Sequence, residues 1–157
     1  MNKIHIVGSL VLCLAFTLSI FAITPPEQSL KKKDVPQSII KSFEQSYPQA
    51  KIKGYSKEDN EGKVAYEIES KDGKINRDIL YNADGSVISI EESMLVSELP
   101  QLVQNSLKSE FSNAKIIQVE RLIKGSEQHF EVILKVKKLK FEIMFGADGK
   151  IIKKEKV

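Results

Sequence analysis

The feature that most constrains this chain is an internal repeat. Residues 34–93 align with residues 98–157 at a constant offset of 64 positions and without a gap. A match of this length in one register indicates a tandem duplication, which we divide into repeat 1 (residues 34–96) and repeat 2 (residues 97–157). The matched pairs include Pro36/Pro100, Gln37/Gln101, Ile39/Val103, Phe43/Leu107, Tyr47/Phe111, Ala50/Ala114, Ile52/Ile116, Glu67/Glu131, Ile79/Ile143, Asp84/Asp148 and Gly85/Gly149.

Each repeat begins with a predicted helix. Ile39, Phe43 and Tyr47 recur at i, i+4 and i+8, which predicts one apolar stripe on a helix that Pro48 ends. Asp34 is the expected N-cap, because its carboxylate can accept a hydrogen bond from a free backbone N–H. The same stripe recurs in repeat 2 at Val103, Leu107 and Phe111.

Each helix is followed by a stretch in which apolar and polar residues alternate. Tyr66 and Ile68 flank Glu67, a period of two that predicts strands with one buried face. Short Asp-Gly turns force neighbouring strands to be antiparallel. We therefore predict an α+β fold of two tandem repeats, each one helix packed on a four-stranded antiparallel meander sheet. The buried rows of the third strands are expected to be Ile75, Arg77, Ile79 and Tyr81, and Leu139, Phe141, Ile143 and Phe145.

Short sequences at the ends of these elements carry a family resemblance. They are Tyr-Pro at 47–48, Ala-Lys-Ile at 50–52 and 114–116, and an aromatic-x-Ala-Asp-Gly run at 81–85 and 145–149. Together they resemble the PepSY-like domains of exported bacterial proteins, related in fold to the secreted β-lactamase inhibitor proteins. The resemblance implies a helix-on-sheet unit used twice and no catalytic residues. In the inhibitors, the joined sheets form a concave surface that grips an enzyme.

The sequence also departs from the inhibitor proteins. They carry disulfides and an aromatic-rich binding surface, whereas this chain has no Trp and one Cys. Outside residues 1–22, its aromatic residues fall on the predicted buried stripes, except Tyr55, whose side the pattern leaves open. These departures argue against specific inhibition of a β-lactamase.

The N-terminal segment is predicted to be a signal peptide. Lys3 precedes a largely apolar stretch, and Ile20 and Ala22 suit a cleavage site, so residues 1–22 form the signal and residues 23–33 a linker. The alternative is an uncleaved anchor, because about 18 apolar residues just span a bilayer. Cys13 follows Leu12 rather than a small residue, which argues against lipidation. We expect an exported protein, periplasmic or secreted, with no stable membrane insertion after cleavage.

Composition excludes several function classes. A net charge of +3 is too small for nucleic-acid binding by bulk electrostatics. Without residues 1–22 the chain has no Cys and only His129, so a thiol nucleophile and a Cys/His zinc site are excluded. No phosphate-binding glycine loop occurs. We therefore expect no enzyme, no cofactor and no metal.

Two charge features stand above this background. Residues 35–98 carry 8 basic and 12 acidic groups, whereas residues 99–157 carry 12 and 7. The asymmetry either holds the repeats together and soluble, or steers a partner protein or an anionic envelope surface. The other feature is Arg77, which occupies a core position held by Phe141 in repeat 2; its side chain either reaches solvent at the sheet rim or forms a salt bridge between repeats.

The helices can cover only one face of the sheets, which leaves the other face for binding. Apolar side chains ringed by charge on that face are typical of an interface. We expect a monomeric, non-enzymatic binding module for another envelope or secreted protein, such as an inhibitor or chaperone-like binder. The alternative is a periplasmic carrier of a small apolar or anionic ligand. The candidate partner-binding residues are Glu67, Glu69, Asp78, Leu80, His129, Glu131, Ile133, Lys138, Lys140 and Met144.

The signal-peptide prediction is testable by intact mass. Protein recovered from the native host is expected to begin near Ile23, because the apolar stretch and the Ile20/Ala22 site direct cleavage there. A mass that retains Met1 would contradict cleavage and favour the anchor.

Overall fold

The computed structural model describes residues 28–157, so the predicted signal peptide and its cleavage site lie outside the described residues. Residues 28–157 form a single nine-stranded sheet, in which each strand pairs antiparallel with the next strand along the chain, and two α-helices. The strands are β1 Gln28–Ser29, β2 Lys51–Asn60, β3 Lys63–Asp72, β4 Ile75–Tyr81, β5 Val87–Ser93, β6 Lys115–Lys124, β7 Glu127–Val136, β8 Leu139–Gly146 and β9 Ile151–Lys156, and the helices are α1 Gln37–Ser46 and α2 Gln101–Glu110.

Both helices lie on the same face of the sheet, which we call the helix face. Cross-strand pairs connect the buried rows of the two repeats through Ile79, Ile90 and Ile123. Each helix buries its apolar stripe against the strands of its own repeat, which gives two cores on one side of one sheet. The first core contains Ile39, Ile40, Phe43, Ile68, Ile79 and Tyr81, and the second contains Val103, Leu107, Phe130, Val132, Ile143 and Phe145.

The tandem duplication and the helix-on-meander unit are confirmed by the register of the sheet. The pairing of β2 with β3 shifts between Ile52 and Gly54, and that of β6 with β7 shifts between Ile116 and Gln118, the same place 64 residues later. A second pair of shifts recurs in the same way between β4 and β5 and between β8 and β9. The repeats therefore share their irregularities as well as their strands.

One strand serves both repeats, which the sequence pattern did not predict. Gln28 and Ser29 of β1 pair with β2, and the positions 64 residues later, Glu92 and Ser93 of β5, pair with β6 in the same register. Thus β5 is the last strand of repeat 1 and also the leading strand of repeat 2. β1 lies in the predicted linker 23–33; two residues are too few to show an alternating pattern.

A partly buried cluster of charges lies where β5 meets β6, with the Arg121 side chain 41% exposed. Arg77 Nε donates a hydrogen bond to Glu92 Oε1 at 2.6 Å, and Arg121 Nη2 donates to Glu92 Oε2. The Arg77 side chain is only 7% exposed, and its guanidinium carbon lies 4.1 Å from the ring centre of Tyr47. Burial opposes ionisation of Glu92, but the hydrogen bonds from Arg121 and Arg77 outweigh it and hold the pKa of this carboxyl below its usual range. Arg77 does not reach solvent at the rim; Glu92 links it to repeat 2.

Two local predictions were wrong. Asp34 does not cap α1: it belongs to a 3-10 turn, Lys32–Asp34, and the N-cap is Pro36, with no side-chain cap. Ile75 and Leu139 are not buried but 41% and 44% exposed. Each is the first residue of its strand, directly after a hairpin turn. The alternating pattern therefore extends past the part of the strand that packs against the core.

Removing the Glu92 charge is expected to destabilise the whole protein. Glu92→Gln leaves two guanidinium groups side by side in a mostly buried site, which we expect to lower the free energy of unfolding by about 2–4 kcal/mol. Glu110→Gln is the control, because it removes the same charge from an exposed residue of α2 that lies outside the cluster. Urea unfolding of both variants measures the difference, and equal effects would contradict the role of the charge cluster.

Candidate functional site

The sheet face opposite the helices, which we call the open face, carries nine of the ten predicted binding residues. For each of the nine, the neighbouring residues along the strand belong to the helix face. Successive side chains of a strand point to opposite faces, so the nine side chains lie on the open face. None of the core residues that pack against α1 or α2 belongs to this set. The nine are Glu67, Glu69, Asp78, Leu80, His129, Glu131, Ile133, Lys140 and Met144.

Lys138 is the exception, and its predicted place on a strand was wrong. It lies in the turn between Val136, the end of β7, and Leu139, the start of β8. The preceding Lys137 has a φ of 55°, a left-handed conformation that suits a tight hairpin. Lys138 therefore lies at one end of the sheet rather than on the open face.

Carboxylates cross the middle of the open face from β3 to β8. Glu69 pairs with Asp78 and Asp78 with Glu91, so three acidic residues lie side by side on neighbouring strands. Glu120 and Glu131 form a second such pair on β6 and β7. With Glu142 on β8, which faces Ile133, they form what we call the carboxylate belt: Glu69, Asp78, Glu91, Glu120, Glu131 and Glu142.

Two carboxyl groups of the belt, those of Glu131 and Glu91, have raised pKa values. Burial raises the pKa of the Glu131 carboxyl to about 7, and the negative charge of the Glu142 carboxylate adds to the shift. The carboxylates of Glu91 and Glu120 act in the same direction. Burial also raises the pKa of the Glu91 carboxyl, and the negative charge of Glu120 is the second largest cause of the increase. These groups repel one another and are partly desolvated, so the free protein holds them at a cost in stability.

Apolar side chains lie among these carboxylates. Ile133 faces Glu142, Met144 faces Glu131, and Leu80 faces Glu67, all across neighbouring strands. Leu122 of β6 joins them, paired with Glu91 on one side and His129 on the other. All four are partly exposed. Within residues 28–157 no aromatic side chain lies on this face, and Tyr55, whose side the pattern left open, packs with the first core.

Sequence reasoning missed Glu91, Glu120 and Leu122. Their period-two alternation on β5 and β6 was a usable signal, but their orientation depends on knowing that these two strands pair. The β5–β6 pairing joins the two repeats, and an alignment of one repeat on the other does not show which strands pair between repeats. The residues in the middle of the open face, on β5 and β6, were therefore not predicted from the sequence pattern.

His129 is the one histidine among the described residues, and it lies on the open face. His129 Nε2 lies 3.5 Å from a carboxylate oxygen of Glu127, and its buried Nδ1 has no hydrogen-bond partner. In the part of the chain that the structure describes, no three His, Cys, Asp or Glu side chains come together to hold a metal ion. Neither helix of residues 28–157 has the length and apolar character needed to cross a bilayer.

Neutralising Glu131 is expected to stabilise the protein at alkaline pH. Because its pKa is about 7 in the folded protein and lower when unfolded, folding favours the protonated form, and stability falls as pH rises toward and through 7. Glu131→Gln removes this penalty; allowing for partial exposure, we expect a gain of about 1 kcal/mol at pH 8, or about 3–5 °C in Tm.

At pH 5 the gain should be much smaller, because Glu131 is then protonated in the folded protein. Thermal unfolding of Glu131→Gln at both pH values provides the measurement, with the exposed helix residue Glu110→Gln as control. A gain that is the same at pH 5 and pH 8 would contradict the assigned ionisation of Glu131.

Comparisons with known proteins agree with this architecture. The family described as "Putative beta-lactamase-inhibitor-like, PepSY-like" matches the chain twice, at residues 24–89 and 79–153. No curated protein matches.

Solved structures from Bacteroides share the fold. A protein of Bacteroides eggerthii described as periplasmic is 16% identical, with a TM-score of 0.69 over 78% of this chain and 89% of its own. A BLIP-like protein of Bacteroides fragilis is 20% identical, with a TM-score of 0.63 over 78% and 86%. The two family matches and the duplicated helix-on-sheet unit lead to one conclusion: the chain belongs to the PepSY-like, β-lactamase-inhibitor-like family.

Proposed function

We propose that the protein is an exported, non-enzymatic binding module that docks another envelope or secreted protein on its open face. The observation that carries this proposal is the composition of that face. It combines partly exposed apolar side chains with a belt of carboxylates that repel one another. A partner that covers the apolar groups and supplies hydrogen-bond donors to the belt relieves both unfavourable features at once.

The centre and the rim of the proposed interface have different roles. Ile133 and Met144 are adjacent to belt residues and lie at the centre, where desolvation contributes most to affinity. The carboxylates, with Lys140 and Lys153 toward the edge, set the orientation and the rate of association. Lys138, at the end of the sheet, belongs to the outer rim and acts on the rate rather than on the lifetime of the complex.

The comparisons support export and a non-enzymatic role. The matched family is inhibitor-like by its description, and the similar protein of Bacteroides eggerthii is described as periplasmic. Both agree with the apolar N-terminal segment and with the absence of a recognisable catalytic motif in the sequence. The inhibitor proteins bind through an aromatic-rich surface, whereas the open face of residues 28–157 carries no aromatic side chain. This difference favours a protein partner other than a β-lactamase.

The alternative function, a carrier of a small apolar or anionic ligand, is supported by a different region. An apolar cavity of about 340 Å³ lies beside α2, on the helix side of the sheet. That volume is within the range of small-molecule sites. It is separate from the open face, so the two functions can be tested apart.

Acidic substitutions at the centre of the proposed interface are expected to abolish partner binding. A partner captured from an envelope extract should be lost with Ile133→Asp and with Met144→Asp, because each places a charge in the desolvated centre. Val64→Asp is the matched control, because Val64 is a β3 residue that is 55% exposed and lies on the helix face rather than the open face. Lys138→Glu should mainly slow association and change its salt dependence.

Each variant needs a thermal unfolding curve beside the binding measurement. Retained capture by Ile133→Asp and Met144→Asp would contradict docking on this face. Unfolding of both variants would show that the face is part of a core, and the open-face proposal would then be dropped.

A further inference from the structure

The two repeats differ sharply at one place on the helix side, which we call the α2 groove. It lies between the turn that precedes α2, the second half of α2 and the start of β6. Its walls include Val96, Leu107, Lys108, Phe111 and Ile116, around a cavity of about 340 Å³. A second cavity of about 320 Å³ shares Val96 and Ile116 and continues past Leu95 and Ile117. The groove is therefore elongated and mostly apolar.

The duplication provides an internal control for this groove. Leu95, Val96 and Ile117 are 66%, 41% and 44% exposed. The equivalent positions of repeat 1, 64 residues earlier, are all lysines: Lys31, Lys32 and Lys53. Because repeat 1 builds the same helix-on-sheet unit with three lysines there, the fold does not require apolar residues at these positions. Their contiguous exposure in repeat 2 indicates a contact with something apolar.

In repeat 1 an exposed ion pair spans the equivalent positions. Lys32 Nζ lies 3.1 Å from Glu44 Oε1. In repeat 2 the same two positions hold Val96 and Lys108, so the pair is replaced by an apolar wall and a single cation. Leu107 also replaces the larger Phe43 in the core beneath. Repeat 2 is thus open where repeat 1 is bridged.

The charge at the mouth of the groove is positive and favours an anionic group there. Lys108 lines the cavity, and no ion pair among residues 28–157 involves it. Repeat 2 as a whole is basic, with 12 basic and 7 acidic groups in residues 99–157. An apolar groove with a cation at its mouth is complementary to a molecule with a hydrocarbon chain and an anionic end.

We propose that the α2 groove binds the hydrocarbon chain of a fatty acid, with the carboxylate beside Lys108. The chain lies along Phe111, Ile116 and Val96 and continues toward Leu95 and Ile117, where it removes their exposed apolar surface from water. This inference deepens the carrier alternative and is independent of docking on the open face.

Fluorescence titration with cis-parinaric acid tests the proposal. The protein recovered after export and freed of lipid is titrated, and dodecanoate and dodecanol are then compared as competitors. The parent is expected to bind one probe molecule per chain, with dodecanoate the stronger competitor. The triple variant Leu95→Lys, Val96→Lys, Ile117→Lys, which installs the residues of repeat 1, should lose about tenfold or more in affinity. Lys108→Glu should weaken dodecanoate severalfold and leave dodecanol unchanged.

Controls separate this site from other causes. Leu107→Phe, which restores the larger side chain of repeat 1, should also reduce binding and keeps the test valid if the triple variant does not fold. Ile133→Asp on the open face should bind the probe normally. Absence of binding by the parent, equal binding by the triple variant and Leu107→Phe, or equal competition by dodecanol would each overturn the proposal. A parent that binds no probe but forms a dimer lost in the triple variant would assign the groove to self-association instead.

Discussion

Main-chain pairing between β5 and β6 is the interaction on which the rest of the structure depends. Four residue pairs, from Ile90↔Ile123 to Ser93↔Glu120, join the last strand of repeat 1 to the first strand of repeat 2. Because strand alternation is carried through these pairs, both helices lie on one side and the other side becomes one uninterrupted face. The partly buried Arg77–Glu92–Arg121 cluster favours this register, since a slip by one residue would move Glu92 away from both guanidinium groups.

The same duplication could have produced open-ended assembly, and its charges oppose that outcome. At the offset of 64, Lys156 of β9 takes the position of Glu92, and Lys57 of β2 takes that of Arg121. Pairing β9 of one molecule with β2 of another in the register of β5 and β6 would place Lys156 opposite Lys57, and it would also require β1, whose Gln28 pairs with Lys57, to leave β2. Like charges on sheet edges are a common means of preventing edge-to-edge association. The internal joint is attractive and its repetition between molecules is repulsive.

Much of the fold could be predicted from the sequence, because duplication, helical stripes and strand alternation are local or periodic signals. The places where prediction failed depend on pairing between distant residues. Arg77 reads as a misplaced charge until Glu92 is known to lie opposite it on β5. Glu91, Glu120 and Leu122 belong to the open face through the β5–β6 pairing, which no single repeat reveals. For the α2 groove the signal was present in the repeat alignment, as lysines opposite apolar residues, but only the cavity gave it a meaning.

Amide hydrogen–deuterium exchange across β5 and β6 tests the central claim, that the two repeats form one sheet and not two linked domains. The amides that join these strands, together with that of Met94, which donates to the Val119 carbonyl at 2.9 Å, should exchange as slowly as those of β3 and β7. Exchange of all four strands is predicted to follow global unfolding, with one free energy. Fast exchange in β5 and β6 while β3 and β7 stay protected would show that the joint opens separately, and would contradict the account.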